Sequence, residues 1–300
     1  MKKLSRVLFA VWLFVLSFLP CGVIYNTQSV ESGINTSEVK SICKAIERSC
    51  FRKPDSIRIA TFNLLADGLG YYGGRDELRA NGVCDLICSV NADVIGLQEV
   101  SRWWFCNITN NTEYVFVDPL RTELGGFMTA IVYNPERVTV LEYGNIPLLR
   151  GSNYRLRRIV WALFKSKESG GLFCVVNTHL NLSDIDNSVS IFQAQQFTNS
   201  VHCLNEKYNC PVVVTGDFNA KKRGAVAYRS SVVYDVLSLN MADTHYIASK
   251  KSFSNTNDHN RCIDHIFTVG KASVKEWGIL SQKPLKNLSD HYLVFSDIVI

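Results

Sequence analysis

The feature that most constrains this chain is a series of short apolar runs, rich in Val, Ile and Phe, separated by polar turns. They are Ile57 to Phe62, Val94 to Leu97, Phe127 to Tyr133, Val160 to Phe164, Phe173 to Val176, Val212 to Thr215, Ile263 to Val269 and Tyr292 to Ile300. Such runs predict strands buried on both faces or strands of a sandwich. Two segments carry helical spacing instead. Glu77 to Val90 sets Leu78, Leu86, Ile87 and Val90 near one face, and Ile191 to Glu206 does the same with Phe197, Val201 and Leu204. Each helix precedes a strand, so the class is α/β or α+β with layered packing. There is no internal repeat and no low-complexity tract.

A chain of 300 residues that is 47% hydrophobic and 20% charged is an ordinary globular protein. Its candidate site residues run from Asn63 to His291, which predicts one domain over 56–300. Residues 1–22 read as a signal peptide: Met-Lys-Lys-Leu-Ser-Arg is followed by an apolar run, Val7 to Leu19, broken only by Ser17. An uncleaved anchor extending through Val23 to Tyr25 is the alternative. Pro20 ahead of Cys21 argues against a lipoprotein site. Residues 23–55 read as a polar linker and an N-terminal cap, with a short helical pattern around Val39 to Ile46. The expected location is therefore secreted or extracytoplasmic.

Lys2, Lys3 and Arg6 carry three of the +5 formal charges, so a processed chain is only weakly basic and charge names no partner. Lys221-Lys222-Arg223 is the best local basic cluster; a solvated loop and a nucleic-acid contact both account for it. Ten cysteines suit an exported protein. Cys43 with Cys50 and Cys203 with Cys210 are plausible pairs, and Cys84 and Cys88 lie one helical turn apart. No Cys-x-x-Cys pair is present, which gives a structural zinc site little support. Sequons stand at Asn35, Asn107, Asn110 and Asn181.

The polar residues that close the apolar runs carry the chemistry. Asn63 ends the first run, Glu99 follows Leu97-Gln98, His179 ends Val-Val-Asn-Thr-His, and Asp217 and Asn219 end Val-Val-Val-Thr-Gly-Asp-Phe-Asn. Asp264 lies within Arg-Cys-Ile-Asp-His-Ile-Phe, and Ser289-Asp290-His291 leads into the last run. Any one of these alone is more often a turn former, a cap or a satisfied structural group. Together, strand tips gather distant side chains into one crevice. Oxygen and amide ligands without paired thiolates suit Mg²⁺, with Mn²⁺ or Ca²⁺ as alternatives, and a hard cation beside imidazoles suits attack of water on phosphorus.

The segments Thr61-Phe62-Asn63, Gln98-Glu99-Val100, Asn177-Thr178-His179-Leu180, Gly216-Asp217-Phe218-Asn219, Ile263-Asp264-His265 and Ser289-Asp290-His291 resemble the endonuclease/exonuclease/phosphatase superfamily. The resemblance spans about Ile57 to Ile300. It implies a four-layered α/β sandwich with two central mixed sheets flanked by helices. It further implies a metal-dependent phosphoric ester hydrolase, with Glu99 as the main metal carboxylate, Asn63 beside it and Asp290 in support. Asp217 would orient or deprotonate the attacking water, and Asn219 would hold a phosphate oxygen. His291 would act as base or electrophile with Asp264 fixing its tautomer, and His179 would protonate the leaving oxygen. Arg158 stands where many members have a phosphate-binding arginine, with Arg157 as its competitor. His265 falls at a position expected to vary and is left out of the site.

The superfamily acts on DNA, RNA, lipids and inositol phosphates, so the resemblance implies a phosphate-ester substrate without choosing one. The absence of a long hydrophobic hairpin favours a nuclease weakly over a sphingomyelinase-like phospholipase or a phosphatase of small esters. A membrane-lipid substrate stays open, and no protein partner is expected. Trp103-Trp104-Phe105 could stack bases or touch a membrane, but packed core is the preferred reading. The reading of another class is an inactive secreted binding protein with the same fold. Against it, every role above is filled by a competent side chain.

Overall fold

The computed structural model describes residues 34–49, 55–67, 75–123, 128–149, 157–182, 187–222, 231–252, 255–281, 285 and 287–300. These belong to one compact unit, Glu31–Ile300. The expected signal segment, most of the linker, and Arg223 of the basic cluster lie outside the described residues.

The described elements run α1 (Thr36–Ser49), β1 (Ile57–Asn63), α2 (Glu77–Val90), β2 (Val94–Val100), α3 (Arg102–Asn111), β3 (Val115–Phe116), α4 (Pro119–Glu123), β4 (Met128–Tyr133), β5 (Val138–Pro147), β6 (Arg158–Ser166) and β7 (Leu172–His179). Then follow α5 (Ser188–Tyr208), β8 (Val212–Asp217), α6 (Ser231–Ser238), β9 (Ala242–Asp243), α7 (Thr244–Ile247), β10 (Lys250–Lys251), β11 (Asp264–Val269), β12 (Ser273–Leu280) and β13 (Leu293–Val299). One sheet has the order β10-β12-β13-β1-β2-β4-β3 and the other β5-β6-β7-β8-β11-β9. Both are mixed: β1 with β2 and β7 with β8 are parallel, whereas β1 with β13 and β8 with β11 are antiparallel.

Strand periodicity divides the apolar residues among three cores. Val83, Ile87 and Trp104 pack with Phe62, Ile95 and Leu97 on the outer side of the seven-stranded sheet. Phe197, Val201 and Val233 pack with Val176, Val214 and Phe267 on the outer side of the six-stranded one. Ile59, Val94, Phe164, Val175, Val213, Ile266 and Val294 fill the space between the sheets. The result is the expected four-layered α/β sandwich. Helix ends follow local chemistry: Asp76 caps α2 by accepting from Leu78 N–H at 2.8 Å, and Ser101 caps α3 by accepting from Trp104 N–H at 3.3 Å.

Several expectations change. Leu78 is 45% exposed rather than part of the buried face of α2. It sits on the first turn, next to the cap, on the side away from its buried neighbours Arg79 and Ala80. Strands β5 and β12 were not evident in the sequence because exposed residues interrupt their apolar pattern. Trp104 and Phe105 are buried in the core, with Trp103 half-buried against it, which is the packed-core alternative for this tract. Cys43, Cys203 and Cys210 are free thiols, so neither suggested neighbour pair forms; Cys203 is exposed on α5 while Cys210 is buried. Cys106 is disulfide-bonded. Asn181 is buried and accepts from Arg157 Nε at 3.2 Å, which removes it as an accessible glycan acceptor. Among the described residues, no helix is long and apolar enough to cross a membrane.

Candidate active site

The inward parity of the six-stranded sheet carries the first half of the site. Val213, Thr215 and Asp217 alternate along one face of β8, and Val175, Asn177 and His179 do so along β7. Asp264 shares the parity of Ile266, and Arg158 that of Val160. Strand register then aligns the tips: His179 pairs with Asp217, and Asp217 with Asp264. Ile159 pairs with Thr178, so the same register brings Arg158 beside His179. Four neighbouring strands thus present Arg158, His179, Asp217 and Asp264 in one row. His265, one residue on, faces the opposite way: it bonds Asp243 at 2.9 Å and the Ala220 carbonyl at 2.9 Å, consistent with its exclusion from the site.

The seven-stranded sheet supplies the second half. Asn63 ends β1 on the inward face, and its Nδ2 donates to Glu99 Oε1 at 3.3 Å and Asp217 Oδ2 at 3.1 Å. By strict alternation Glu99 would point outward with Leu97. Instead Glu99 has φ of 59°, and the β2–β4 register shifts between Gln98 and Val100. This bulge turns the carboxylate to Asn63 and to Ala66 N–H, which donates to it at 2.9 Å. A left-handed backbone at a residue with a side chain is strained and marks functional positions. Asn219, with φ of 50°, is the second case here: its N–H donates to Asp217 Oδ1 at 2.9 Å and its Nδ2 to the Leu180 carbonyl at 3.1 Å.

His291 enters from the segment ahead of β13. Its Nδ1 donates to Asp264 at 2.9 Å, and its Nε2 lies 3.8 Å from Asp217 Oδ2; His179 Nε2 lies 3.4 Å from the same oxygen. Asp217 is thus approached by an amide and two imidazoles. Burial pushes its carboxyl up to about 6 against the lowering effect of His291, with Asp264 adding to the rise. For His291, burial opposes the charged ring, yet the carboxylates of Asp264 and Asp217 raise it to about 10. Asp290 is half-buried and is also raised, chiefly by burial, with Glu99 near enough to contribute. The fold therefore holds a carboxylate poised near neutrality beside a protonated imidazole.

All nine expected side chains, Asn63, Glu99, Arg158, His179, Asp217, Asn219, Asp264, Asp290 and His291, stand on this end of the paired sheets. Arg158 is tied to Asn145 of β5, and Arg157 turns to Asn181 instead. Ligand atoms of Asp217, Asp264 and His291 lie within 4.8 Å of one another. With Glu99 and Asp290 adjoining, the donor set is oxygen-rich and free of thiolates, which fits a hard divalent cation.

Sequence reasoning missed the layer beneath. Gln98 Nε2 donates to Thr61 Oγ1 at 3.0 Å and to Asn177 Oδ1 at 2.8 Å. Asn177 Nδ2 donates to the Leu97 and Ala130 carbonyls, and Thr215 Oγ1 donates to Asn177 Oδ1 at 3.1 Å. This buried network joins the two sheets directly under the site. Ser289 Oγ donates to the Asn63 carbonyl at 2.7 Å and accepts from His291 N–H at 3.1 Å, which ties two site segments together. The available signal was polar residues at inward parity within otherwise apolar strands.

The model of the Endonuclease/Exonuclease/phosphatase family matches residues 60–291. The chain belongs to this family. The family match covers every site residue named above. Among curated proteins it is similar to Carbon catabolite repressor protein 4 homolog 3 of Arabidopsis thaliana, 24% identical over 201 residues, which are 61% of this chain and 42% of that protein. The chain thus spans less than half the length of that relative. Among solved structures it resembles a mannosyl-6-phosphatase of Bacteroides thetaiotaomicron, with TM-score 0.65, 20% identity, and 82% of this chain and 100% of that one covered. It also resembles D. rerio TDP2 complexed with single strand DNA product, with TM-score 0.61, 19% identity and coverages of 81% and 98%. At these identities the structural likenesses establish the fold. Family members are hydrolases of phosphate esters, and this chain has their phosphoesterase fold.

Proposed function

We propose that this protein is a divalent-metal-dependent phosphoesterase that hydrolyses phosphodiesters of nucleic acid, and that it works outside the cytosol. The observation that carries the reading is the convergence on Asp217 of the Asn63 amide at 3.1 Å, the His179 imidazole at 3.4 Å and the His291 imidazole at 3.8 Å, with Asp264 holding the far side of the His291 ring at 2.9 Å. An ionised Asp217 accepts a proton from water, and the His291 imidazolium donates a hydrogen bond to a phosphate oxygen. His179, on the other side of Asp217, is placed to protonate a leaving oxygen. Arg158, held by Asn145 at the end of the row, offers its guanidinium to phosphate. Glu99, Asn63 and Asp290 would hold Mg²⁺. When bound, such a cation stabilises negative charge developing on phosphate oxygens.

The nucleic-acid reading is supported by the Lys221-Lys222 pair that follows Asn219, with the Lys222 ammonium 3.8 Å over the Tyr246 ring, and by the single strand DNA product bound to TDP2. Export is supported by the basic-then-apolar N-terminus. The test incubates purified protein lacking residues 1–25 with plasmid DNA, RNA, sphingomyelin, inositol phosphates and mannose 6-phosphate, with and without Mg²⁺. Metal-dependent cleavage of DNA or RNA supports the reading. Cleavage of only a lipid or a monoester replaces the substrate class, and turnover unaffected by chelator removes the metal. Fractionation of the expressing cells tests export: full-length protein retained in the cytosol would refute it.

A further inference from the structure

Arg79 of α2 is wholly buried, far from the surface where arginines normally reside. Its Nε donates to the Leu288 carbonyl at 2.8 Å, and its Nη2 donates to the carbonyls of Leu64 and Leu65, the latter at 2.7 Å. Its guanidinium lies 4.7 Å over the Trp104 ring, and Trp104 Nε1 donates to the same Leu65 carbonyl at 3.0 Å. One turn along α2, Gly82 lets the Leu288 segment close in: a Cβ there would stand 2.6 Å from Leu288 Cδ2. A single helix face thereby holds the turn after Asn63 and the segment that leads to Ser289-Asp290-His291.

The consequence follows from peptide geometry. The C=O and N–H of a trans peptide point in opposite directions. Pinning the Leu65 carbonyl on Arg79 therefore aims Ala66 N–H away from α2, and that N–H is the one that donates to Glu99 Oε2 at 2.9 Å. Pinning the Leu64 carbonyl likewise aims Leu65 N–H, which donates to Asn63 Oδ1 at 3.0 Å. Leu65 has φ of 56°, a conformation a leucine holds only when its surroundings fix it. The charge also matters. Burial lowers the Arg79 guanidinium to about 10, so it stays protonated at neutral pH, and Asp290 and Glu99 are among the carboxylates that sustain it.

We infer that Arg79 is a positioning residue for the metal side of the site, setting Asn63, Glu99 and Asp290 through the backbone carbonyls of Leu64, Leu65 and Leu288. The inference rests on the metal-dependent reading proposed above. Its test is Mn²⁺ binding by calorimetry on the full chain, with Arg79→Lys compared to wild type and cooperative melting checked for both. Lysine keeps the charge but cannot span three carbonyls. The expected result is a folded variant whose Mn²⁺ Kd rises about 10–100-fold, the range seen when partners of metal ligands are lost. On bis(4-nitrophenyl) phosphate at fixed Mn²⁺, kcat falls while KM is retained. Exchange of the Ala66 amide accelerates. A folded Arg79→Lys protein with wild-type Mn²⁺ affinity overturns the inference alone, whereas a wild-type chain that binds no Mn²⁺ overturns the metal reading with it. Should Arg79→Lys not fold, Trp104→Phe removes one donor to the Leu65 carbonyl. It is expected to raise the Mn²⁺ Kd about fivefold, the equivalent of one hydrogen bond, and an unchanged Kd there also overturns the inference.

Discussion

Gln98 and Glu99 are consecutive in β2, yet both side chains reach groups on the side of the second sheet: Gln98 bonds Asn177, and Glu99 shares the Asn63 amide with Asp217. A regular strand cannot do this, because successive side chains alternate. The left-handed backbone at Glu99 makes it possible, and Val100 then resumes the outward parity of Leu97.

That geometry predicts an inversion of the usual glycine penalty. At φ of 59° a Cβ is disfavoured, so Glu99→Gly is expected to be more stable than Glu99→Ala by about 1 kcal/mol, although glycine normally weakens a strand. Both variants lose the carboxylate and should lose metal-dependent turnover by about a hundredfold or more. Urea midpoints decide the first point: an alanine variant as stable as the glycine variant would mean that the bulge is not strained.

The proton positions predict a bell-shaped dependence of kcat/KM on pH. Activity needs Asp217 ionised and His291 protonated, so it rises as pH passes about 6 and falls as pH passes about 10. The linked stability runs one way. Both groups are raised in the folded state, so each contributes stability below its ordinary value that fades as pH climbs through the raised one. His291→Gln should abolish the alkaline limb, lower the rate by orders of magnitude and keep an acidic limb moved to higher pH, because the imidazolium no longer lowers Asp217. An acidic limb that disappears with His291 while surviving Asp217→Asn would reverse the assignment.

The strand tips were legible because they end apolar runs: Asn63, His179 and Asp217 each close one, although runs buried on both faces do not tell which way the last side chain points. Glu99 also closes an apolar run, but its inward direction was not legible, since the bulge that turns it leaves no trace in local composition. The bridging roles of Asn177 and Thr215 were not legible inside Val-rich runs, because one polar side chain in a buried strand looks like noise until its partner on the other sheet is in place. Nothing within α2 marks Arg79, since the helix itself does not reveal three carbonyls arriving from segments on either side of it in sequence. The thiol pairs failed for a related reason: Cys203 and Cys210 are close in the chain but one is exposed on α5 and the other buried after it.

Gly96 tests the network beneath the site. A Cβ there would lie 2.1 Å from Thr215 Oγ1 and 2.6 Å from Asn177 Oδ1, too close for either to remain. Gly96→Ala is expected to lose about 1–3 kcal/mol of stability, as overpacking does. Asn177 and Thr215 each stand two residues before a site side chain, so kcat should fall in the fraction that remains folded. Wild-type kcat in that variant would show that His179 and Asp217 are positioned independently of the layer under them.

Arg58 and Asp297 allow stability to be separated from catalysis. The two are buried and bonded in bidentate fashion, Nε to Oδ1 at 2.7 Å and Nη2 to Oδ2 at 2.8 Å, with the guanidinium 4.7 Å over Phe295. Arg58 stands five residues before Asn63, roughly 16 Å away along an extended strand. Asp297→Asn leaves a buried cation with a neutral partner and should cost about 3–5 kcal/mol. Arg58→Met with Asp297→Leu removes both charges and should recover most of that loss. Urea denaturation measures the cycle, and kcat and KM below the transition should match wild type in every member. A single variant with unchanged stability would mean that the guanidinium has found another counter-charge, and a changed KM would mean that this end of β1 communicates with the cleft.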